Sequence, residues 1–251
     1  MRIGIAGITG RMGRLLIEEA EAAGHRVVGG IARTTHNRPD IPLCTDIAGL
    51  AGNADVVIDF THANLASAHA AVLADTKTPW VLGTSGLTPA DDAAVARATA
   101  VIPIVYAASF APGITLLLAL AKRLGAALPD SYDAEIIEMH HRQKLDAPSG
   151  TALAIGRAVA SGRGVTLEEV RTPARDGHTG PRQPGAIGFA ALRGGQVIGE
   201  HSVLFAGATE HIAISHRAFD RRIYATGAVQ AATWLLGRAP GLYGMADVLG
   251  L

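Results

Sequence analysis

The sequence predicts an α/β fold in the first half of the chain and an α+β fold with a mixed, open sheet in the second half. The first observation is that short runs rich in valine and isoleucine, such as RIGIA, ADVVIDF and PWVLGT, alternate with helical stretches. Strands that alternate with helices in this way form a parallel sheet covered on both faces. The second observation is that AIGFAALRG, GEHSVLFAG and EHIAISHRAF are separated only by short turns, which favours mixed or antiparallel pairing.

Local signals define the individual elements. Residues 2–6 form a buried strand that leads through glycines into the first helix, and HRVVGGIA follows as the second strand. Thr88 is a predicted N-cap, and Asp91 closes a capping box at the start of the helix TPADDAAVARATA. Further along, AEIIEMHH is a strand, and Ser149 or its neighbour caps the helix TALAIGRAVAS.

The change of pattern divides the chain into two predicted domains. The first domain comprises residues 1–111 and is completed by 220–251, because the last helix, ATGAVQAATWLLGRA, is suited to cover the first sheet. The second domain comprises residues 112–219. It contains the later strands and a long stretch rich in Gly, Pro and Arg at 162–184.

Composition excludes several classes of function. The chain has 251 residues with 22 basic and 22 acidic side chains, so no overall field attracts nucleic acid or an acidic membrane. Cys44 is the single cysteine, which excludes an intrachain disulfide and a thiolate metal cluster. The apolar run near the start is short and broken by glycines, and the run ITLLLALA is too short to span a bilayer. We therefore expect a soluble, cytoplasmic protein that binds neither nucleic acid nor membranes.

Three glycines follow the first strand with the spacing G-x-x-G-x-x-G. Gly7, Gly10 and Gly13 form a variant of the dinucleotide-binding fingerprint, in which glycines permit a tight turn, close approach of a pyrophosphate and packing of helix on strand. The N–H groups at the helix start then face the phosphates. An ordinary glycine-rich turn is the alternative. The strand-turn-helix context favours nucleotide binding and a Rossmann-like domain.

The end of the second strand bears on the choice of nucleotide. An acid at this point would bind the ribose hydroxyls of NAD, but the strand ends in Ala32 and Arg33. A cation suits the 2′-phosphate of NADP, although a solvated arginine is an equally acceptable interpretation. The segments GTSG at 83–86 and AASF at 107–110 end two later strands, where ligands of such sheets lie. They are expected to contact the nicotinamide half, or else to serve only as turns.

The stretch EMHHRQKLDAPSGTA carries the densest chemistry of the chain. His140 and His141 end a strand and supply groups that titrate near neutral pH, and Lys144 supplies a compact cation. The segment 149–151, SGT, begins a helix whose free N–H groups bind anions. Together they predict a proton donor beside an anion pocket. The alternatives are a solvated polar strand end, or a zinc site, which the histidine spacing and the absence of nearby cysteines disfavour, so no metal is expected.

The same stretch resembles the signature E-x-H-H-x-x-K-x-D-A-P-S-G-T-A of the dihydrodipicolinate reductase family. GITGRMG, VIDFT, GTSGL, RGGQVIGEHSVLFAG, EHIAISHRAFDRR and GLYGMADVLGL resemble that family in the same order, so the resemblance covers essentially the whole chain. It implies an enzyme that uses NAD(P)H to reduce 4-hydroxy-tetrahydrodipicolinate to tetrahydrodipicolinate, with loss of water, in lysine and diaminopimelate biosynthesis. It also implies a homotetramer formed through the second domain, which binds the cyclic dicarboxylate substrate.

The resemblance also assigns roles to residues. His140 matches the proton donor, and Lys144 matches a second acid/base or anchoring residue. The substrate-binding residues are then His141, Lys144, Ser149, Gly150 and Thr151. The cofactor-binding residues are Gly7, Ile8, Thr9, Gly10, Arg11, Met12, Gly13, Arg33, Phe60, Gly83, Thr84, Ser85, Ala107, Ala108, Ser109 and Phe110. Many relatives carry an acid where this chain has Ala32, so NADPH is expected to be preferred, with NADH also used.

Two other functions remain compatible with these patterns. One is an NAD(P) oxidoreductase of the same architecture that acts on a different imino acid. The other is a catalytically silent NAD(P)H-binding sensor that has kept the fold. The intact set of His140, Lys144 and the segment 149–151 argues against the sensor.

Overall fold

The chain divides into two compact units. The computed structural model describes residues 1–35, 38–172 and 175–251. One unit contains Met1–Pro112 and Arg221–Leu251, and the other contains Gly113–Asp220. No helix in the described part of the chain is both long and apolar enough to cross a bilayer.

The helices and strands are numbered in chain order. The strands are β1 (Arg2–Ala6), β2 (Arg26–Ile31), β3 (Val56–Asp59), β4 (Trp80–Leu82), β5 (Pro103–Tyr106), β6 (Asp133–His140), β7 (Ile187–Arg193), β8 (Gly199–Ala206), β9 (His211–Ala218) and β10 (Gly241–Tyr243). The helices are α1 (Arg11–Ala22), α2 (Ile47–Ala51), α3 (Ala66–Asp75), α4 (Pro89–Ala98), α5 (Pro112–Ala127), α6 (Gly150–Gly162), α7 (Leu167–Val170), α8 (Arg222–Leu235) and α9 (Met245–Leu249). A short 3₁₀ helix at Ala63–Leu65 precedes α3.

The first unit is built on a parallel sheet with the strand order β10-β5-β4-β3-β1-β2. β1 lies between β2 and β3 in the sheet, so β2 is added on one side of β1 and β3 on the other. A crevice for ligands therefore opens at the carboxyl ends of β1 and β3, where the direction of winding changes. The Rossmann-like parallel sheet predicted from the alternating apolar runs is confirmed.

Both faces of this sheet are buried. This explains why its strands are continuously apolar rather than alternating between apolar and polar residues. Ile5 and Ile58 point into a core formed with α1 and α8. Val57 and Leu82 point into a second core formed with α2, α3 and α4. Neighbouring residues of a strand thus enter opposite cores, as the two-residue period of a strand requires.

The second unit is built on a mixed sheet with the strand order β7-β6-β8-β9. β6 pairs in parallel with β7 and antiparallel with β8, and β8 pairs antiparallel with β9. Helices α5 and α6 cover one face through Leu117, Ile155 and Val159, which pack with Ile136 and Phe205. The predicted mixed sheet is therefore confirmed.

Several short elements lie outside the sequence-based expectations. The stretch 162–184 contains α7, which starts with a capping box between Thr166 and Glu169. The strand β10 has three residues and pairs with the edge of β5, so the first sheet gains a strand after the last long helix. Elements this short carry little periodic signal. By contrast, the capping box predicted from Thr88 and Asp91 is present at the start of α4.

Candidate active site

The glycine loop lies at the carboxyl end of β1. Gly7 has a φ of 85°, a left-handed conformation that favours glycine, and its carbonyl accepts a 2.9 Å hydrogen bond from the backbone N–H of Gly10. A Cβ on Gly13 would overlap the carbonyl of Ile8, so this glycine lets α1 pack against the loop. Gly10 is the N-cap of α1 and has no side chain to bond the first turn. The helix therefore presents unpaired N–H groups, which suit the phosphates of a dinucleotide.

A cavity of about 420 Å³ lies beside this loop. It is lined by Gly7, Thr9, Gly10, Ile31, Ala32, Arg33, Thr34, Phe60, Thr61, His62, Asn64 and Leu65. Arg33 is exposed at its rim, and within the described ranges no acidic side chain pairs with it. Arg38, which lines a neighbouring cavity of about 430 Å³, instead forms ion pairs with Glu21 and Asp40.

A buried acid holds the loop after β3. Asp59 is fully buried and accepts hydrogen bonds from Nδ1 of His69 at 2.6 Å, from the Thr61 hydroxyl at 2.6 Å and from the Thr61 backbone N–H at 2.9 Å. The hydroxyl of Thr84 donates to the carbonyl of Thr61 at 3.1 Å, which ties this loop to the end of β4. Phe60 is thereby set against Phe110, with 5.6 Å between the ring centroids.

The remaining predicted cofactor residues differ in exposure. Ile8 and Phe110 are 1% and 2% exposed, so their side chains belong to the core and only their backbone groups remain for a ligand. A Cβ on Gly83 would overlap the ring of Phe60. Arg11, Ser85 and Ala108 are exposed, whereas Met12, Ala107 and Ser109 are half-buried and Thr84 is buried.

In the second unit, Glu138 is the centre of a polar network at the end of β6. It is 1% exposed, and its Oε2 accepts from Nδ1 of His140 at 2.6 Å. Arg193 donates to both carboxylate oxygens, at 2.9 Å and 2.8 Å, and also to the carbonyl of Asp146 at 2.6 Å. The backbone N–H of Ser149 donates to Oε1 of Glu138 at 3.1 Å. The network therefore joins the predicted proton donor to the start of α6.

Ser149 is the N-cap of α6 and is itself 2% exposed. Its hydroxyl accepts from the backbone N–H of Ala152 at 3.2 Å and lies 3.1 Å from Nε2 of His201. The Ser149 side chain is thus occupied within the protein. Gly150 is exposed and Thr151 half-exposed, so these two residues are the accessible ones at this helix start, where the sequence predicts an anion site.

Lys144 and His141 lie in the turn that follows β6. The Lys144 amine is 2.9 Å from Oδ1 of Asp146, and its backbone N–H donates to the carbonyl of His141 at 3.1 Å. His141 is half-buried and lies just beyond the last residue of β6, whereas it was expected within the strand. Its Nδ1 is buried and has no hydrogen-bond partner among the residues described.

Burial and charge set the protonation of this cluster. Burial lowers the pKa of His140, and the positive charges of Lys144 and Arg193 lower it further. The hydrogen bond and negative charge of Glu138 raise it, but the net pKa lies below the ordinary value. Burial raises the pKa of Glu138, but hydrogen bonds from Arg193 and His140 outweigh it, and the net pKa lies below the ordinary value. His201, whose ring is 5.1 Å from that of His140, has its pKa lowered from 6.5 to about 4, mainly by burial.

Three members of the network were missed by sequence reasoning. Glu138 shares the face of β6 with His140, since the two are two positions apart in a strand, so the pattern E-x-H could have revealed it. Arg193 and His201 come from other strands. They reach the cluster because β6 pairs His140 with Arg193 of β7 and Glu138 with His201 of β8. No sequence signal specifies that register. Within the described residues, no group of three or more acidic, histidine or cysteine side chains is arranged to hold a metal ion.

A Rossmann-like sheet with a glycine loop, together with a histidine and lysine cluster on a separate mixed sheet, defines a protein of the nicotinamide-dependent dehydrogenase and reductase class. Family profiles agree: "Dihydrodipicolinate reductase, N-terminus" matches residues 1–110, and "Dihydrodipicolinate reductase, C-terminus" matches residues 113–249. The chain therefore belongs to the dihydrodipicolinate reductase family, as its signature stretch predicts.

Individual relatives match over the full length. The 4-hydroxy-tetrahydrodipicolinate reductase of Granulibacter bethesdensis is 62% identical over 255 residues, which cover 100% of this chain and 97% of that protein. The protein of the same name from Gluconacetobacter diazotrophicus is 59% identical over 252 residues, covering 100% and 98%.

Solved structures share the fold. Dihydrodipicolinate reductase from Paenisporosarcina sp. TG-14, with dipicolinate bound, matches with a TM-score of 0.81 at 22% identity, covering 98% of each chain. A probable dehydrogenase from Thermotoga maritima matches with a TM-score of 0.64 at 12% identity, covering 99% of this chain and 92% of the other. At these identities the likeness concerns the fold alone.

Proposed function

We propose that the protein uses NADPH or NADH to reduce 4-hydroxy-tetrahydrodipicolinate to tetrahydrodipicolinate, with loss of water, in lysine and diaminopimelate biosynthesis. The relatives that carry this enzyme name match the chain along its whole length at 59–62% identity. The structural observation that carries the proposal is the His140–Glu138 pair beside the accessible N-terminus of α6. It combines a proton donor with a site for a carboxylate.

The first unit fits a nicotinamide dinucleotide. Gly7 and Gly13 permit the tight turn and the close packing of α1 on the loop, and the uncapped start of α1 offers N–H groups to a pyrophosphate. The neighbouring cavity of about 420 Å³ is large enough for an adenosine moiety. When bound, the nicotinamide supplies a hydride to the substrate ring. The loop at Phe60 and Thr61, which Asp59 anchors, is assigned the role of orienting the nicotinamide.

The second unit fits a cyclic dicarboxylate. Lys144 and the N–H groups of Gly150 and Thr151 are assigned to a substrate carboxylate, and His141 is assigned to a second contact. The Lys144 amine exchanges its bond to the exposed Asp146 for one to the substrate. Lys144 and the helix N–H groups supply local positive charge, which suits a dianion even though the protein has no net charge.

His140 is assigned the proton transfer. Its Nδ1 is held by Glu138, so Nε2 is the nitrogen that delivers the proton to the ring. Gly199 lies next to this nitrogen, where a Cβ would be 3.1 Å from Nε2. A glycine at this position therefore leaves space at the donating atom.

NADPH is the preferred cofactor in this proposal. Arg33 lies at the rim of the adenosine cavity, and Ala32 stands where an acid would bind the ribose hydroxyls of NAD. A guanidinium has the geometry to bind a 2′-phosphate with two hydrogen bonds. No group at this rim repels NADH within the described ranges, so NADH is also used.

The active form is proposed to be a cytoplasmic homotetramer assembled through the second unit. The face of its sheet opposite α5 and α6 carries apolar side chains, among them Ile137 at 40% and Leu192 at 50% exposure. An apolar face of this kind is typical of a contact between copies. Light scattering of the purified protein tests this proposal. A tetramer that dissociates in Ile137→Lys supports it, and a monomeric wild-type protein contradicts it.

The decisive experiment follows NADPH absorbance with and without the condensation product of pyruvate and aspartate semialdehyde. Decay that requires the condensation product supports the reductase. Binding of NADPH without turnover would instead identify a sensor. Decay with other cyclic imino acids, but not with this product, would assign a different substrate.

A further inference from the structure

We propose that Glu138 is a positioning residue that fixes His140 and the start of α6 in one arrangement and stabilises the charged form of His140. The inference rests on the proposed function, since it concerns the proton donor of that reaction. It adds a residue whose role follows from its contacts rather than from its own access to a substrate.

The carboxylate of Glu138 is fully occupied. Oε1 accepts from the N–H of Ser149 and from Arg193, and Oε2 accepts from Nδ1 of His140 and from Arg193. The side chain is 1% exposed. Glu138 therefore has neither the access nor a free lone pair to bind a substrate, and it acts through its neighbours.

The first consequence concerns which nitrogen of His140 exchanges a proton. Because Nδ1 donates to Glu138 at 2.6 Å, the neutral ring carries its proton on Nδ1, and Nε2 is the nitrogen that gains and loses one. Carboxylates that orient a catalytic histidine act in this way in other enzymes. Without the carboxylate, either nitrogen of the ring could carry the proton.

The second consequence concerns charge. The charged or titratable groups that face His140 are Glu138 on its own strand, Arg193 on β7, His201 on β8 and Lys144 in the following turn. Burial and the two cations lower the pKa of His140, and Glu138 raises it. Within the described residues, Glu138 is the acid that stabilises the imidazolium against these groups.

The third consequence concerns the anion site. The N–H of Ser149 is anchored to Oε1, and Arg193 extends from Glu138 to the carbonyl of Asp146. The same carboxylate thus holds the end of β6, the turn that carries Lys144 and the first residue before α6. A change at Glu138 should affect proton transfer and carboxylate binding together.

The test compares Glu138→Gln, Glu138→Asp and a control, Glu200→Gln. Glu200 lies on the neighbouring strand β8, and its carboxylate forms an ion pair with the exposed Arg217 and is not among the groups that contact Glu138 or His140 in the described part of the chain. The pH dependence of kcat/KM is measured for each protein. The ¹⁵N shifts of His140 are titrated without substrate, because they report both the tautomer and the pKa. Circular dichroism and urea unfolding establish that each variant is folded.

In Glu138→Gln we expect kcat to fall by about 10- to 100-fold. This is smaller than the full contribution of general acid catalysis, because His140 itself is still present. We also expect the descending limb of the pH profile to move to lower pH, because the imidazolium loses its counter-charge. Glu138→Asp keeps the charge but is one methylene shorter. The descending limb of its pH profile should therefore stay close to that of wild type, whereas its kcat should fall. Glu200→Gln should resemble wild type.

An unchanged limb and an unchanged His140 titration in Glu138→Gln would overturn the inference. So would a shift of equal size in Glu200→Gln. If the wild-type protein does not turn over the condensation product, the proposed function fails, but the His140 titration still decides the role of Glu138. A variant that unfolds is replaced by Arg193→Lys, which should loosen the same carboxylate and shift the His140 titration.

Discussion

At the scale of single residues, the site is set by side chains that are buried before any ligand arrives. His140 is 8% exposed and Glu138 is 1% exposed, so the position of the imidazole is determined by the protein rather than by solvent. Such prior ordering reduces the cost of reaching a reactive geometry. The groups left accessible are those that the proposal assigns to the substrate, namely Gly150, Thr151 and the Lys144 turn.

Replacement of His140 tests the proton donor directly. We expect His140→Gln to lower kcat by about 10²–10⁴-fold with a smaller change in KM, because the amide cannot donate a proton at neutral pH. Steady-state kinetics with NADPH measure both constants. His211→Gln, at an exposed position on β9, is the matched control. Wild-type turnover in His140→Gln would contradict the assignment.

Replacement of Arg33 tests cofactor preference. Because Arg33 is exposed, its contact with a 2′-phosphate is worth about 0–1 kcal/mol, or up to about fivefold in kcat/KM. In Arg33→Ala the preference for NADPH over NADH should shrink, and in wild type it should shrink at high salt. The measurement is kcat/KM for both cofactors at two salt concentrations. A preference that is unchanged in the variant would make Arg33 a solvated surface residue.

At the scale of elements, the ends of strands decide how the polar groups meet. Along β6 the side chains on the helix-covered face are Ala134, Ile136, Glu138 and His140, so this face changes from apolar core to polar site within one strand. The loop after β3 shows the same change, since the apolar strand ends in the buried Asp59. Strand ends thus supply both the loop proposed to contact the cofactor and the proposed proton donor.

The Asp59–His69 pair should hold the cofactor loop in place. His69→Ala leaves a buried carboxylate oxygen without its donor, which costs about 1–3 kcal/mol of unfolding free energy. We also expect a higher KM for NADPH, because the loop at Phe60 and Thr61 loses an anchor. His69→Gln, which keeps an N–H donor, should recover part of both effects. Urea unfolding and cofactor kinetics measure them, and an unchanged KM in His69→Ala would show that the loop is held without this pair.

The sequence predicts the long elements and the part of the candidate site that lies in one stretch of the chain. The residues that strand pairing brings to the candidate site could not be predicted. The parallel sheet, the capping box at Thr88 and the cap at Ser149 follow from local patterns. The chemistry of EMHHRQKLDAPSGTA is visible because it lies in one stretch. Arg193 and His201 are brought to it only by strand register, a long-range property, and β10 is too short to leave a periodic signal.

At the scale of the whole molecule, buried histidines link stability to pH. His201 has its pKa lowered to about 4, mainly by burial, so the unfolded chain takes up a proton near pH 6.5 while the folded chain does not. The unfolded state therefore binds more protons between pH 6.5 and about 4, and stability falls as the pH falls. His140 and His216, whose pKa values burial also lowers, act in the same direction.

The contribution of His201 can be measured by urea unfolding at pH 7 and pH 5. One such group contributes at most about 1.4 kcal/mol per pH unit to the slope. In His201→Gln the loss of stability between the two pH values should be smaller than in wild type, even if the variant is less stable at both. His211→Gln should keep the wild-type difference, because that side chain is exposed. An equal difference in wild type and His201→Gln would place the pH dependence elsewhere.

The discontinuous first unit has a consequence for synthesis on the ribosome. Its core includes side chains of α8, and the outer edge of its sheet is completed when β10 pairs with β5. Because β5 ends at Tyr106 and α8 begins at Arg222, more than a hundred residues are added to the nascent chain after β5 before these partners emerge. We expect the edge of β5 to be unpaired during that interval, and an unpaired strand edge favours association with other chains. The unit Gly113–Asp220 is one continuous segment and needs no later part of the chain to complete it, so it is free to fold first.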